Sequence, residues 1–278
     1  MSRIWFITGA SRGIGAEIAK AALAAGDRVV ATGRNPAQIE KVFAADADRV
    51  LAVELDVAQE SRAQAAVDAA LARFGRIDVL VNNAGYGQLG LFEENETGDI
   101  ERQFATNVFG LFHVTRAVLP VMRRQRAGHI FNVTSLAGLL GVPGGSIYCS
   151  SKFAIEGFSE SLAKEVAQFG IKVTIVEPGP FRTDFLDGSS VRFGARSVED
   201  YAQFSAETKA SYLDRSHKQP GDPAKLGQAL IVLAATEHPP LRYLAGSNTL
   251  QRAEDKLAAM RAEFDQWRKL TLSTDFAQ

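Results

Sequence analysis

Six short runs of apolar, mostly β-branched residues recur along the chain: Ile4 to Ile7, Val29 to Thr32, Val50 to Val53, Val79 to Val81, Ile130 to Val133 and Lys172 to Val176. Alanine-rich or amphipathic segments of helical length separate them. This alternation predicts an α/β fold, a doubly wound parallel sheet with helices on both faces in three layers, α/β/α. Crossovers in such a sheet are right-handed, and ligands collect outside the carboxyl ends of the strands, near the switch in strand order. Length alone permits two small domains, but the alternation favours a single domain over residues 1–278.

The first run leads into Thr8-Gly9-Ala10-Ser11-Arg12-Gly13-Ile14-Gly15, after which Ala16, Ile18, Ala19, Ala22 and Leu23 repeat at helical spacing. Glycines at such a junction let the backbone turn tightly and approach a pyrophosphate. Free amides and the positive dipole end at the helix start favour that charge. A glycine-spaced turn also arises in ordinary strand-to-helix connections, so it gains weight only in company. The company is Ser135, Tyr148 and Lys152, a proton-transfer group with its electrostatic support far along the chain.

Together these residues resemble the short-chain dehydrogenase/reductase family, over roughly the first nine-tenths of the chain and through several separated motifs. The resemblance implies a Rossmann-like fold and a nicotinamide dinucleotide cofactor. It makes Gly9, Ser11, Arg12, Gly13, Ile14 and Gly15 the phosphate loop. Asp56 and Val57, after the third run, match positions that contact the adenine. Asn82-Asn83-Ala84-Gly85, after the fourth, resembles the family signature, where small residues let the cofactor ribose approach. Glu177-Pro178-Gly179-Pro180-Phe181-Arg182-Thr183, after the sixth, looks like the segment that fixes the nicotinamide, with Pro178, Gly179, Phe181 and Thr183 in contact. Plain alternatives exist for several of these residues: a helix cap for Asp56 and a turn for Asn83 to Gly85.

Which cofactor it takes depends on the end of the second run. Dinucleotide folds often place an acid there for the ribose hydroxyls, whereas a phosphorylated ribose needs the acid absent and a cation nearby. Here Gly33 and Arg34 follow Val29 to Thr32. With Arg12 and Arg34 placed to bind a phosphate, NADP(H) is favoured over NAD(H). Either arginine could instead be a solvated surface charge.

Reducing a carbonyl requires a hydride and a proton for the oxygen, and the reverse reaction requires a base. Tyr148 is the candidate for both roles. Lys152 lies four residues on, hence on the same helical face. Its ammonium would favour the phenolate, as would the positive nicotinamide of the oxidised cofactor. The resemblance adds three roles: Ser135 donates to the substrate oxygen, Lys152 bonds the nicotinamide ribose, and Asn107 holds a water linking Lys152 to solvent. For Asn107 the competing reading is a mid-helix side chain satisfying its own neighbourhood, and for Ser135 a turn hydroxyl. Cys149 has no His/Asn partner pattern, and no Gly-x-Ser-x-Gly elbow supports a hydrolase.

Charge is nearly balanced, 31 Lys plus Arg against 32 Asp plus Glu, so nothing points to nucleic acid. No signal peptide opens the chain and no run is expected to span a bilayer, a soluble and cytoplasmic reading. The single cysteine excludes an internal disulfide, and the four His show no ligand spacing, so no metal is expected.

The sheet pattern gives way over Gly179 to Gly221, where Phe181, Phe185, Phe193, Tyr201, Phe204 and Tyr212 suggest a mobile substrate lid at about 180–221; a stable insertion packed on the core is the alternative. Leu136 to Val142, met by Leu89, Leu91 and Phe92, should form a pocket for an apolar ketone, aldehyde or alcohol, unless these residues pack internally. Tyr148-Cys149-Ser150-Ser151-Lys152 with Glu177-Pro178-Gly179 looks like the branch with hydroxysteroid and retinol dehydrogenases.

Gly98 to Gln125 reads as a long helix bent at Pro120. Leu250, Leu257, Met260, Phe264 and Trp267 mark one stripe of an extra C-terminal helix at about 248–270, packed on the body or another subunit. Where family members often end their last strand in a Val-Asp-Gly-Gly-like turn, Arg242 to Asn248 leads into this helix, which argues against the common tetramer and for a monomer or homodimer. Two other functions remain open: a noncatalytic NADP(H)-binding redox sensor, and an isomerase or dehydratase on the same scaffold.

Overall fold

The computed structural model describes residues 2–188 and 190–276. It begins β1 (Ile4–Thr8), α1 (Gly13–Ala24), β2 (Arg28–Gly33), α2 (Pro36–Val42), β3 (Val50–Glu54), α3 (Glu60–Phe74) and β4 (Val79–Asn82). It continues with β5 (Gly87–Leu89), α4 (Thr97–Phe104), α5 (Gly110–Gln125), β6 (Gly128–Val133), α6 (Ser146–Val166) and β7 (Ile171–Pro178). The last part holds β8 (Val191–Phe193), α7 (Ala202–Asp214), α8 (Pro223–Ala235), β9 (Arg242–Ala245) and α9 (Ser247–Leu272). All six expected runs are strands.

Seven strands form one sheet in the order β3-β2-β1-β4-β6-β7-β9, and every pairing in it is parallel. Alternation of side chains across the pleat explains the three layers. Ile4, Phe6, Leu80 and Ile130 pack with Val67, Val114, Val118 and Leu162 of α3, α5 and α6. Trp5, Ile7, Val81 and Phe131 point the other way, onto Ile18, Ile39, Leu226 and Leu230 of α1, α2 and α8. The switch in strand order falls between β1 and β4, whose carboxyl ends therefore open a crevice.

Local chemistry sets the helix ends. Asn35 and Asp222 cap α2 and α8 by accepting from backbone amides, each ahead of a proline at the first turn. Gly75 ends α3 at φ +77°, the left-handed conformation that favours glycine at this position. Pro120 lies inside α5, which remains α-helical through it. A separate irregularity lies at Ala105–Phe109, a π-helical turn joining α4 to α5. The continuous segment Thr97–Gln125 is long and apolar enough, by length and composition, to cross a membrane, so the expectation that no run reaches that length has one exception. Here its α5 half packs between α3 and the sheet, with Val114, Val118, Val121 and Met122 buried.

Residues 179–221 have structure of their own. β8 pairs in parallel with β5, away from the main sheet, and Phe181 bridges Gly221 at the base of the segment. Ser205 donates to Glu94 at 2.8 Å, and the Tyr212 hydroxyl to the Pro143 carbonyl at 3.0 Å. Three of its residues, Asp184, Asp187 and His217, bring potential ligand atoms within 4.8 Å of one another, a grouping that sequence spacing did not reveal. Within it His217 Nε2 lies 3.0 Å from Asp187, which also accepts from Ser216 at 2.7 Å. Beyond β9, α9 starts one residue before the expected boundary and ends two after it, with only Thr249 and Ala253 buried.

Candidate active site

At the β1–α1 junction, Gly9 and Gly13 hold φ of +66° and +57°, which side-chain-bearing residues rarely adopt. Gly15 is required for a different reason. A Cβ there would lie 2.4 Å from the Gly9 carbonyl oxygen and 2.5 Å from Asn83 Nδ2, so only a bare Cα lets α1 seat against the loop. Asn83 holds that arrangement, donating to the carbonyls of Thr8 and Gly9 at 2.9 and 3.1 Å. The Thr8 hydroxyl accepts in turn from the amides of Asn83 and Ala84. The Arg12 side chain provides no cap to α1, and no acid occupies its first turn. The helix therefore presents its positive end and first amides to the crevice, a cradle that suits a pyrophosphate.

That cradle forms one end of a cleft of about 960 Å³ running along the carboxyl edge of the sheet. Its wall includes Gly9, Ser11, Arg12, Gly13, Ile14, Arg34, Asp56, Val57, Asn83, Ala84 and Gly85 at the dinucleotide end, then Ser135, Tyr148, Lys152, Pro178, Gly179, Phe181 and Thr183. Every site residue expected from sequence reaches this wall except two. Gly15 lies behind it as packing, and Asn107 is buried in the π-helical turn. Asn107 donates to the Tyr86 carbonyl at 3.0 Å and to Ser151 Oγ at 3.3 Å, and accepts from the Tyr86 amide. Asp56 accepts from the Ala58 amide at 3.1 Å, and Arg12 donates to Ser190 Oγ at 2.8 Å.

The other end of the cleft is built on α6 and the loop after β6. Tyr148, Lys152 and Glu156 are one helical turn apart on α6 and share a face. Burial pushes the Tyr148 phenol above the usual range for tyrosine, and the neighbouring Ser135 hydroxyl, which donates to the Pro178 carbonyl at 3.4 Å, opposes that rise. Ser135 Oγ also accepts from the Ala137 amide at 3.1 Å, which fixes the hydroxyl. Lys152 Nζ is 5.8 Å from the centre of the Tyr148 ring and donates to the Val133 carbonyl at 2.9 Å. Burial brings its pKa down to about 8, while the Glu156 carboxylate opposes that fall. At neutral pH the phenol is protonated and the lysine mostly charged, a poised acid beside a cation.

Three features went unread in the sequence. Arg242 on β9 donates to Glu156, to Glu160 and, at 2.6 Å, to Glu177. Burial, then the neighbouring Glu156 charge, pushes Glu177 up to about 7. The substrate half is also less uniformly apolar than expected. Leu89, Leu136, Leu140, Val142, Phe185, Leu186 and Phe204 line it, but so do Arg102, Arg192, Arg215 and Arg252. Leu91 and Phe92 are absent from this wall, and Phe92 is turned to solvent, 60% exposed. Finally, the Phe185 ring lies 5.6 Å from that of Tyr148, a contact between distant segments that no local pattern signals.

The family model for short chain dehydrogenase matches residues 3–191. The chain belongs to the short-chain dehydrogenase family. It is 41% identical over 275 residues to the oxidoreductase BOA17 of Botryotinia fuckeliana, an alignment covering 99% of this chain and all of that one. It is 38% identical over 245 residues to the 3-ketodihydrosphingosine reductase of Bacteroides thetaiotaomicron, covering 88% of each chain. The crystal structure of a short-chain dehydrogenase from Streptomyces avermitilis superposes with a TM-score of 0.91 at 42% identity, over 99% of this chain and all of that one. A second family structure, from Burkholderia phymatum in complex with NAD, has a TM-score of 0.81 at 27% identity, over 96% of this chain and 95% of that one. This short-chain dehydrogenase is thus an oxidoreductase with a nicotinamide cofactor, and its glycine cradle fits that group.

Proposed function

We propose that this chain interconverts a mainly apolar ketone or aldehyde and its alcohol, using NADP(H) in preference to NAD(H). The convergence of Ser135, Tyr148 and Lys152 on one stretch of the cleft wall carries this reading. In the direction of reduction, the bound cofactor supplies the hydride. Ser135 and the Tyr148 hydroxyl hold the carbonyl oxygen, and Tyr148 gives it the proton as negative charge develops there. Lys152 offsets the charge left on the phenolate, and its remaining N–H groups would bond the nicotinamide ribose. Pro178, Gly179, Phe181 and Thr183 would hold the nicotinamide. Asn107 supports the relay returning a proton to Lys152 by fixing the Tyr86 backbone and Ser151 beside it.

The preference for a phosphorylated cofactor rests on Arg12 and Arg34 in the cleft wall and on Gly33 and Arg34, rather than an acid, following β2. Substrate polarity rests on the leucines, Val142 and Phe185 of the inner wall. The reductase relative named for a ketosphingoid substrate fits the same class. Phe204 and Tyr212 of α7 line the same cleft, which supports the reading of the segment at about 180–221 as a lid that excludes water.

The test is oxidation of NADPH and of NADH over a panel of apolar ketones and aldehydes, with wild type, Tyr148→Phe and Arg34→Ala. Tyr148→Phe should abolish turnover while cofactor still binds. Arg34→Ala should raise KM for NADPH by about 10-fold or more, as for a charged hydrogen bond worth ~1.5–3 kcal/mol, and leave NADH unchanged. Equal use of NADH by wild type would overturn the cofactor assignment. Cofactor binding with no carbonyl reduced would turn attention to the sensor and isomerase readings.

A further inference from the structure

The C-terminal helix α9 runs for 26 residues with only Thr249 and Ala253 buried. Leu270 and Leu272 are exposed in its last turn, and four large apolar residues of the expected stripe also remain in solvent: Leu250 is 48% exposed, Leu257 67%, Phe264 59% and Trp267 57%. Their spacing follows the coiled-coil rule. Leu250, Leu257 and Phe264 recur every seventh residue, and Ala253, Met260 and Trp267 fall three residues after each, the alternating steps of three and four that form a seam of period 3.5. A helix that only rested on its own body would bury a period of 3.6 along its length, and this one does not.

We propose that α9 pairs with α9 of a second copy as an antiparallel two-stranded coiled coil, with Leu257 packed on the partner's Met260 across the twofold axis. The flanking charges select this occupant and this direction. Glu254 and Arg261 line one side of the seam, and Lys256 and Glu263 the other. In the antiparallel pair Glu254 faces the partner's Arg261, and Lys256 faces the partner's Glu263. The twofold repeats both contacts, so all four are attractive. A parallel pair in register would set Lys256 against the partner's Arg261, twice repulsive, and Glu263 against the partner's Arg268, twice attractive. Arg261 bonds Asp265 of its own helix at 3.1 Å, an exposed pair weak enough to exchange for a partner across the seam. Ala253 is covered by its own body, so the partner's Phe264 and Trp267 would reach Leu250 and the body beside it.

Sedimentation velocity over micromolar concentrations should show a dimer for wild type and a monomer for Leu257→Glu, with the near-UV circular dichroism of the catalytic body unchanged. Arg261→Glu should weaken the dimer several-fold, and adding Glu254→Arg should restore it. Mixing separate Leu257→Cys and Met260→Cys variants under oxidation should link the two chains to each other, while neither links to itself. The native Cys149 is buried and does not compete. A wild type that stays monomeric, or a stripe that binds lipid vesicles while the chain is monomeric, overturns the proposal. A dimer strengthened by Arg261→Glu, or cross-linked by Leu257→Cys alone, overturns the antiparallel arrangement.

Discussion

Replacing Gly15 by alanine tests the link between a single missing side chain and cofactor binding. The new methyl carbon would lie 2.4 Å from the Gly9 carbonyl oxygen and 2.5 Å from Asn83 Nδ2, against a closest ordinary approach of 3.0 Å. The loop or the helix must therefore shift by at least 0.6 Å, the difference between 3.0 and 2.4 Å. Overpacking of this kind costs about 1–3 kcal/mol. For a chain of this size that lowers the melting temperature by roughly 2–5 °C. The shift also moves the Gly9 and Asn83 groups that shape the pyrophosphate cradle, so cofactor affinity should fall with stability. Gly75→Ala is the matched control. At φ +77° it is strained, but nothing lies within 4 Å of its Cβ, so it should lose about 1 kcal/mol of stability with no change in affinity. Thermal melts and calorimetric titration with NADPH read both quantities. A Gly15→Ala protein that melts within a degree of wild type and binds the cofactor equally well would refute the close-approach argument.

Two further outcomes concern buried ionisable groups. Glu177, with its pKa pushed up to about 7 from an ordinary 4.5, holds a proton in the folded chain that the unfolded chain releases between those values. The Glu177 contribution to stability therefore falls as pH rises through this window, so Glu177→Gln should gain stability with rising pH more steeply than wild type there; parallel stability curves for the two proteins would count against it. His129 accepts or donates at 2.9 Å to Thr174 in the core, and burial, then Lys172 and Arg3, brings its pKa down to about 3. Below about pH 6.5 only the unfolded chain takes up this proton, which removes about 1.4 kcal/mol of stability per pH unit. Denaturant titrations of His129→Gln should show a shallower acid limb than wild type, and an unchanged slope would place the acid sensitivity elsewhere.

Much of the architecture is legible locally. The six apolar runs are strands because residues with a two-residue period or an unbroken apolar face bury on a pleated sheet wherever they occur. The Gly9–Gly15 turn is legible because the backbone angle at Gly13 and the space at Gly15 each demand a missing side chain. The cleft wall could be drawn up from motifs because each motif follows a strand end, and a parallel sheet gathers its strand ends on one edge. Tyr148 and Lys152 read as a pair for the equally local reason that four residues make one helical turn.

Other features depend on which distant segments meet. Arg242 joins Glu177 and Glu156 across sequence separations of 65 and 86 residues, and no pattern around any of the three signals the others. The β5–β8 pair and the ring contact of Phe185 with Tyr148 arise in the same way, from how the 179–221 segment folds back. Asn107 was identified from its neighbours in sequence, but its burial in a π-helical turn and its bonds to Tyr86 and Ser151 appear only in three dimensions. The arginines of the substrate half are likewise scattered in sequence and gathered by topology. The sequence of α9 determined its helical period and its apolar seam, since both are properties of one segment. That the seam stands in solvent was decided by the tertiary structure, because only the packing of β9 and the body shows which part of that helix is covered.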